Sequence, residues 1–289
     1  MRELPYRERF VRSMDGLALY FRDYGPVPSP AAPLLCLPGL TRNSKDFHDL
    51  ALRYAGERRV ICPDYRGRGR SDHDPHWRNY SVRTSMGDVL QILAATNIHE
   101  VVVIGTSMGG IIAMVLAAVQ PRTLAGVVLN DVGPDINLAG LKQIVEWVAV
   151  DRPQPDLESA ARFIKQNASE IGVRSDEGWL KLARNTYAEG PDGKLHFDYD
   201  LALVRPLAEL VAAGQASPVD LWPFFRALRR IPVLLIRGER STILRRETVK
   251  AMAEAKPDLI CVEVAGAGHV PMLDEPEALD AIDDFLAQH

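Results

Sequence analysis

The stretch Glu100-Val101-Val102-Val103-Ile104-Gly105-Thr106-Ser107-Met108-Gly109-Gly110 decides how this chain is read. Val101 to Ile104 is apolar on both faces, as a parallel strand covered by helices on either side must be. Met108 to Val119 carries a helical pattern. Between them Gly105-x-Ser107-x-Gly109 makes a sharp strand-to-helix turn, in which small residues must flank the serine at two positions either side. Such a turn thrusts the hydroxyl clear of the sheet. It also leaves the Met108 N–H at a helix N-terminus, where it can stabilise an oxyanion. A glycine-rich turn with an incidental serine is the bland alternative. The strand and helix on its flanks favour Ser107 as a nucleophile.

Outward from this turn, short apolar runs alternate with helical patterns. Phe10 to Arg12 and Leu17 to Phe21 read as two opening strands around Asp15-Gly16. Pro33 to Leu37, Arg59 to Cys62 and Leu124 to Leu129 read as further strands, with helices over Ser44 to Ala55 and Val82 to Ala95 between them. The rhythm predicts an α/β fold: a doubly wound, mostly parallel eight-stranded sheet with helices on both faces. It stops near Gly133-Pro134. Helical patterns follow over Leu138 to Val150, Leu157 to Ile171, Glu177 to Tyr187 and Leu201 to Ala213, broken at Asp151-Arg152-Pro153, Gly172 and Gly190 to Gly193. Strands resume at Ile231 to Ile236 and Leu259 to Val264, with helices over Arg246 to Ala255 and Pro276 to Ala287. The expected organisation is a core of residues 1–133 and 223–289 and an inserted helical cap, 134–222.

The motifs resemble those of the α/β-hydrolase fold, over nearly the whole chain. Pro38-Gly39-Leu40-Thr41 resembles that family's oxyanion loop, with proline where a histidine is common; the Leu40 N–H would be the donor. Asp64-Tyr65-Arg66-Gly67-Arg68-Gly69-Arg70-Ser71 resembles its D-x-R-G-x-G-x-S turn. Gly268-His269-Val270-Pro271-Met272, with Asp274-Glu275-Pro276, resembles the segment that carries its histidine. The resemblance implies acyl transfer to water: Ser107 attacks a carbonyl, His269 moves the proton, and the N–H groups of Leu40 and Met108 hold the oxyanion. The other six histidines, at 48, 73, 76, 99, 196 and 289, read as surface or cap lining.

The acid is the departure. The family usually places an aspartate past the strand Val233 to Ile236, in a pattern like G-x-x-S-D. Here the segment reads Gly238-Glu239-Arg240-Ser241-Thr242, with Thr242 at the aspartate's place. Three readings stay open. Asp131, just after the strand Val127 to Leu129, supplies the carboxylate; this is the first choice, against a strand-end aspartate bonding only its own loop. Glu239 turns inward, although a carboxylate beside that glycine more often serves the loop's backbone. Or the site is weakened at Thr242, by nature or by engineering.

The expected function is a serine hydrolase that cleaves a small carboxylic ester or lactone. Alternatives on the same fold are a C–C bond hydrolase and a cofactor-free perhydrolase. A ligand-binding protein that has lost turnover is the alternative of another class, kept open by Thr242. Serine at the turn disfavours a dehalogenase or epoxide hydrolase, which carry aspartate there. The 289 residues are 47% hydrophobic and 25% charged, with a net charge of −4. That balance suits a globular protein and gives no basic excess for nucleic acid. Arg66, Arg68 and Arg70 read as loop structure. No apolar run reaches the roughly 18 residues of a membrane span, and Met1 to Arg7 lacks the apolar core of a signal peptide, so the expected compartment is the cytoplasm. Cys36, Cys62 and Cys261 read as buried strand residues, not as a disulfide or zinc framework. No metal or cofactor is expected, the partner is a small-molecule substrate, and the oligomeric state stays open. Cap aromatics, among them Trp147, Phe163, Trp179, Tyr187, Phe197, Tyr199, Trp222, Phe224 and Phe225, are expected to supply packing and an apolar pocket. Leu40, Asn43 and Met108 should lie near the acyl group. Arg162 and Arg205 are candidates for a substrate carboxylate, with plain surface charge as the alternative.

Overall fold

The structure is a computed structural model that describes residues 5–168, 171–173 and 175–289. Met1 to Leu4, on which part of the leader reading rests, lie outside the described residues. The first half of the chain gives β1 (Arg7–Arg12), β2 (Ala18–Tyr24), β3 (Leu34–Leu37), α1 (His48–Tyr54), β4 (Val60–Pro63), α2 (Val82–Ala95), β5 (Val101–Thr106), α3 (Met108–Val119) and β6 (Leu124–Asn130). Then come α4 (Leu138–Val148), α5 (Leu157–Asn167), α6 (Asp176–Thr186), β7 (Tyr187–Glu189), β8 (Leu195–Phe197), α7 (Arg205–Ala212) and α8 (Trp222–Ala227). The chain closes with β9 (Val233–Gly238), α9 (Arg246–Ala255), β10 (Ile260–Val264) and α10 (Pro276–Leu286).

Eight strands form one sheet in the order β1-β2-β4-β3-β5-β6-β9-β10. Only β2 runs against its neighbours; the other pairings are parallel. Alternation along the strands divides the core into two layers. Leu35, Leu37, Val101, Val103, Val127 and Leu129 face α2, α3 and α8. Leu34, Cys36, Val102, Ile104, Val128 and Leu234 face α1 and α10. A strand buried on both faces is therefore apolar throughout, which is why β5 reads as an unbroken run.

The strand order reverses between β3 and β5, since β3 is followed by β4 on one side and by β5 on the other. Crevices at the carboxyl ends of strands at such a switch point are where open α/β sheets bind ligands. Here Pro38-Gly39-Leu40 leaves β3, Ser107 leaves β5 and Asp131 leaves β6 on that edge.

The turn at Ser107 depends on two close approaches. A Cβ on Gly109 would lie 2.1 Å from the Leu37 carbonyl oxygen, and one on Gly105 would lie 2.6 Å from the backbone of Gly109. The neighbours that would have to move are backbone, so side-chain adjustment cannot relieve them. We expect Gly109→Ala to cost about 3 kcal/mol, the upper part of the range for overpacking, and to lower the midpoint of thermal unfolding by roughly 5–10 °C. An unchanged midpoint in calorimetry would show that α3 does not press on β3 as described.

Between β6 and β9 the helices α4 to α6 and the residues that follow them form a third apolar cluster that includes Trp179, Leu182, Tyr187, Phe197, Tyr199 and Leu203. Two features depart from the expected all-helical block. Tyr187–Glu189 and Leu195–Phe197 pair as an antiparallel hairpin across the break at Gly190 to Gly193. Three-residue strands are too short to show alternation, so only the turn residues signalled it. Trp222, Phe224 and Phe225, read as cap aromatics, lie on α8, and Phe225 is buried in the sheet-side layer with α3. The pattern read as a helix to Ile171 ends as a helix at Asn167; Ser169 and Glu170 lie outside the described residues. Cys36 and Cys62 are buried, but Cys261 is exposed because β10 is an edge strand.

Candidate active site

Ser107 caps α3 with φ 49° and ψ −112°, a positive φ that a serine adopts only when its surroundings impose it. Its N–H is held by the carbonyl of Asn130 at 3.0 Å. The loop after β10 brings His269 alongside, with Nε2 3.1 Å from the Ser107 Oγ. The His269 Nδ1 lies 2.7 Å from Oδ2 of Asp131. A proton on Nδ1 satisfies both contacts: the ring donates to the carboxylate and accepts from the serine.

Asp131 is fully buried, which demands that its charge be bonded on all sides. Its Oδ1 accepts from the Gly238 N–H at 2.9 Å, and its Oδ2 accepts from the Ser241 hydroxyl at 2.6 Å as well as from His269. Ser241 is itself fixed by the N–H groups of Ile243 and Leu244, at 3.3 and 3.0 Å. The loop after β9 thus contributes donors to the carboxylate and no acid of its own. Thr242 lines the cavity and turns its carbonyl to Asn137 Nδ2 at 2.8 Å. Glu239 is exposed and accepts the Gly266 N–H at 2.7 Å, so it holds the neighbouring loop after β10, and not the backbone of its own loop as expected. Of the three acid candidates, only Asp131 is bonded to His269. Gly238 and Ser241 were not singled out from the sequence; the G-x-x-S remnant of the family pattern was the available signal.

The Pro38-Gly39-Leu40 loop is braced from below. Arg68, buried, donates through Nε to the Leu40 carbonyl at 2.8 Å and through Nη1 to the Arg66 carbonyl at 2.7 Å. Burial pushes the Arg68 pKa below its ordinary value. Asp64 accepts the N–H groups of Ser44 and Arg70 at 2.7 and 2.9 Å, and burial raises its pKa. Arg66 is also buried and bonded to Asp15, Asp74 and Asp88. The D-x-R-G-x-G-x-S segment is therefore scaffold, and its arginines offer no binding patch. Met108 begins α3 directly after Ser107, with Leu40 across the crevice on the cavity wall.

A cavity of about 760 Å³ opens over Ser107 and His269, within the range of small-molecule sites. Leu40, Ile144, Trp147, Phe197, Tyr199 and Met272 give it a largely apolar wall. Asn43 is not on that wall. It is buried, caps Lys45 through Oδ1 and donates to Asp198 Oδ2 at 3.1 Å. Arg162 and Arg205 also miss the cavity; both are exposed, and Arg162 bonds Ser159. The cavity arginines are instead Arg42 and Arg152. Arg42 is locked to Asp46 by two bonds of 2.7 and 2.6 Å. Burial opposes its charge, but the Asp46 carboxylate prevails and holds its pKa above the ordinary value. His196, on the hairpin, sits between Asp151 and Asp192, apart from this cavity. Among the described residues, no group of three or more His, Cys, Asp or Glu is arranged to hold a metal, and no helix is long and apolar enough to cross a membrane.

A serine on a strained strand-to-helix turn, backed by histidine and a buried carboxylate beneath a cap, defines a hydrolase of the α/β class. The chain belongs to the α/β-hydrolase fold family, which it matches over residues 32–276. It is 33% identical over 286 residues to a 3-hydroxybutyrate-oligomer hydrolase of Cupriavidus necator, covering 96% of each chain. It is 27% identical over 280 residues to a 2-(acetamidomethylene)succinate hydrolase of Mesorhizobium japonicum, covering 93% of this chain and 92% of that one. Among solved structures, an α/β hydrolase from Novosphingobium aromaticivorans is similar with a TM-score of 0.91 and 40% identity, over 99% of this chain and 100% of the other.

Proposed function

We propose that the protein hydrolyses small carboxylic esters or lactones through an acyl-enzyme on Ser107, with His269 as the base and Asp131 as the acid. The observation that carries this is the bonded series Ser107–His269–Asp131, at 3.1 and 2.7 Å, facing a largely apolar cavity. His269 takes the serine proton as Oγ attacks the carbonyl, then returns it to the leaving alcohol. The N–H groups of Leu40 and Met108 stabilise the tetrahedral oxyanion. Water, activated by the same histidine, releases the acid. Asp131 keeps the ring in the tautomer that accepts from serine and stabilises the imidazolium.

The Cupriavidus necator relative is named for hydrolysing oligomers of 3-hydroxybutyrate, which are esters of a short hydroxy acid. An oligoester of that kind is the substrate class proposed for this chain. Its internal ester fits an apolar wall, and its repeat is small enough for the cavity.

The test is a panel of p-nitrophenyl acetate, p-nitrophenyl butyrate, γ-butyrolactone and linear 3-hydroxybutyrate dimer, run beside labelling with a fluorophosphonate. We expect turnover of at least one ester and label mapped to Ser107 by peptide mass spectrometry. Folded protein that turns over none of the four and takes no label at Ser107 would reject the reading, and with it catalysis at this serine.

A further inference from the structure

Arg152 lines the catalytic cavity without gripping a carboxylate, in contrast to several of the protein's other arginines. Arg7, Arg42, Arg59 and Arg66 each grip an aspartate with the same edge of the guanidinium, Nε together with Nη2. That edge matches a carboxylate in two parallel bonds. Arg152 is bonded differently. Its Nη1 donates to the carbonyls of Trp147 and Val150, at and just beyond the end of α4, and its Nη2 makes one long contact of 3.5 Å with the Glu146 carbonyl. The guanidinium lies over the Trp147 ring, 5.1 Å from its centroid. No carboxylate of the described residues pairs with it, although Glu146 also lines the cavity. A cation at a helix C-terminus is favourable in itself, and this alone would explain the Nη1 bonds. It does not explain why, on a residue that lines the same cavity as Ser107 and His269, the Nε–Nη2 edge carries no carboxylate of the described residues and only the long Nη2 contact with the Glu146 carbonyl.

We infer that Arg152 is the specificity-determining residue that binds a free carboxylate on the substrate, so that the enzyme selects esters whose acid end is ionised. This rests on the ester-hydrolase reading above and names what that reading leaves open: which end of the ester is recognised, and by what. Arg42, the other cavity arginine, is ruled out because Asp46 already occupies its edge. Anchoring by Nη1 to α4 and stacking on Trp147 hold the guanidinium before the substrate arrives, so little side-chain freedom is lost on binding. The ligand is thereby an ω-carboxylated ester: one apolar, scissile part over Ser107 and one anionic end at Arg152.

The experiment compares two probes with the same scissile bond: linear 3-hydroxybutyrate dimer with a free terminal carboxylate, and its terminal primary amide. Cleavage is followed by chromatography. For the wild-type protein we expect the acid to be preferred over the amide by about tenfold or more in kcat/KM, mostly through KM, with the preference falling as salt is raised. For Arg152→Ala we expect kcat/KM on the acid to fall by about 10- to 100-fold, with the amide within about threefold of wild type. Arg152→Lys, which keeps the charge and loses the fork, should fall between the two. A wild-type protein that cleaves the amide as well as the acid overturns the proposal without recourse to any variant. So does Arg152→Lys that loses both probes equally, since Arg152 would then serve only the end of α4. If the wild-type protein cleaves neither probe but hydrolyses p-nitrophenyl butyrate, the carboxylate site falls and the esterase reading stands. If it hydrolyses none of them, both fall.

Discussion

Ser107→Ala is expected to lower kcat for ester hydrolysis by about 10⁶, roughly 8 kcal/mol of transition-state stabilisation, while leaving KM within a few-fold of wild type. The size of the effect follows from the absence of a substitute. The neighbouring hydroxyl, Thr106, accepts from Asn130 Nδ2 at 3.1 Å and is not bonded to His269. The thiols of Cys36 and Cys62 are buried in the sheet. Substrate contacts to the cavity wall persist, so binding survives where chemistry does not. Folding should survive as well. Ser107 holds a positive φ of 49°, and alanine suffers there no more than serine does. Its side chain makes one bond, to His269. The measurement is steady-state hydrolysis of p-nitrophenyl butyrate with the unfolding midpoint as control. Activity within tenfold of wild type, on protein with an unchanged midpoint, would place the nucleophile elsewhere.

How much of this was legible in the sequence differs from residue to residue, and the differences have physical causes. The turn at Ser107 was legible because its constraint is local: Gly105 and Gly109 are required by the approach of β3 and of the turn's own backbone. The sheet was legible because strands buried on both faces are continuous apolar runs. β10 shows the limit, since its run looks the same while its edge position exposes Ile260 and Cys261. Polar contacts across the fold were not legible. Asn43 sits three residues from Leu40, yet it turns away to Asp198, because cap and core meet there through buried polar bonds. Nothing in the spacing of Arg162 or Arg205 shows that they face solvent while Arg42 and Arg152 face the cavity. The resemblance pointed to the loop after β9 for the acid. That loop does reach the site, but it delivers Ser241, beside Gly238 at the end of β9, as a donor to a carboxylate on the neighbouring strand end.

Asp131→Asn is expected to lower kcat by about 10⁴ at neutral pH, because it reverses the polarity of the contact at His269 Nδ1. The wild-type carboxylate presents two oxygens to three donors: the Gly238 N–H on one, the Ser241 hydroxyl and His269 Nδ1 on the other. Asparagine has a single oxygen. If that oxygen stays with Gly238, the amide Nδ2 faces His269 Nδ1 and makes the ring accept there. The proton then moves to Nε2, the atom that must receive the serine proton. If the amide is flipped, the Gly238 N–H is left facing a donor in a fully buried site, at a cost of about 1–3 kcal/mol in stability. Either orientation disables the base or strains the fold, and the first costs less. Glu239→Gln and Thr242→Val should remain within about threefold of wild type, since one side chain bonds the Gly266 N–H and the other position is fixed through its carbonyl. Thr242→Asp should not raise activity, because His269 Nδ1 is already held and a second carboxylate nearby would be repelled by the first. The three positions can be compared on one ester at pH 7. An Asp131→Asn protein within tenfold of wild type, or a strong gain in Thr242→Asp, would move the acid's role to the loop after β9, and the 2.7 Å contact between Asp131 and His269 would then be structural only.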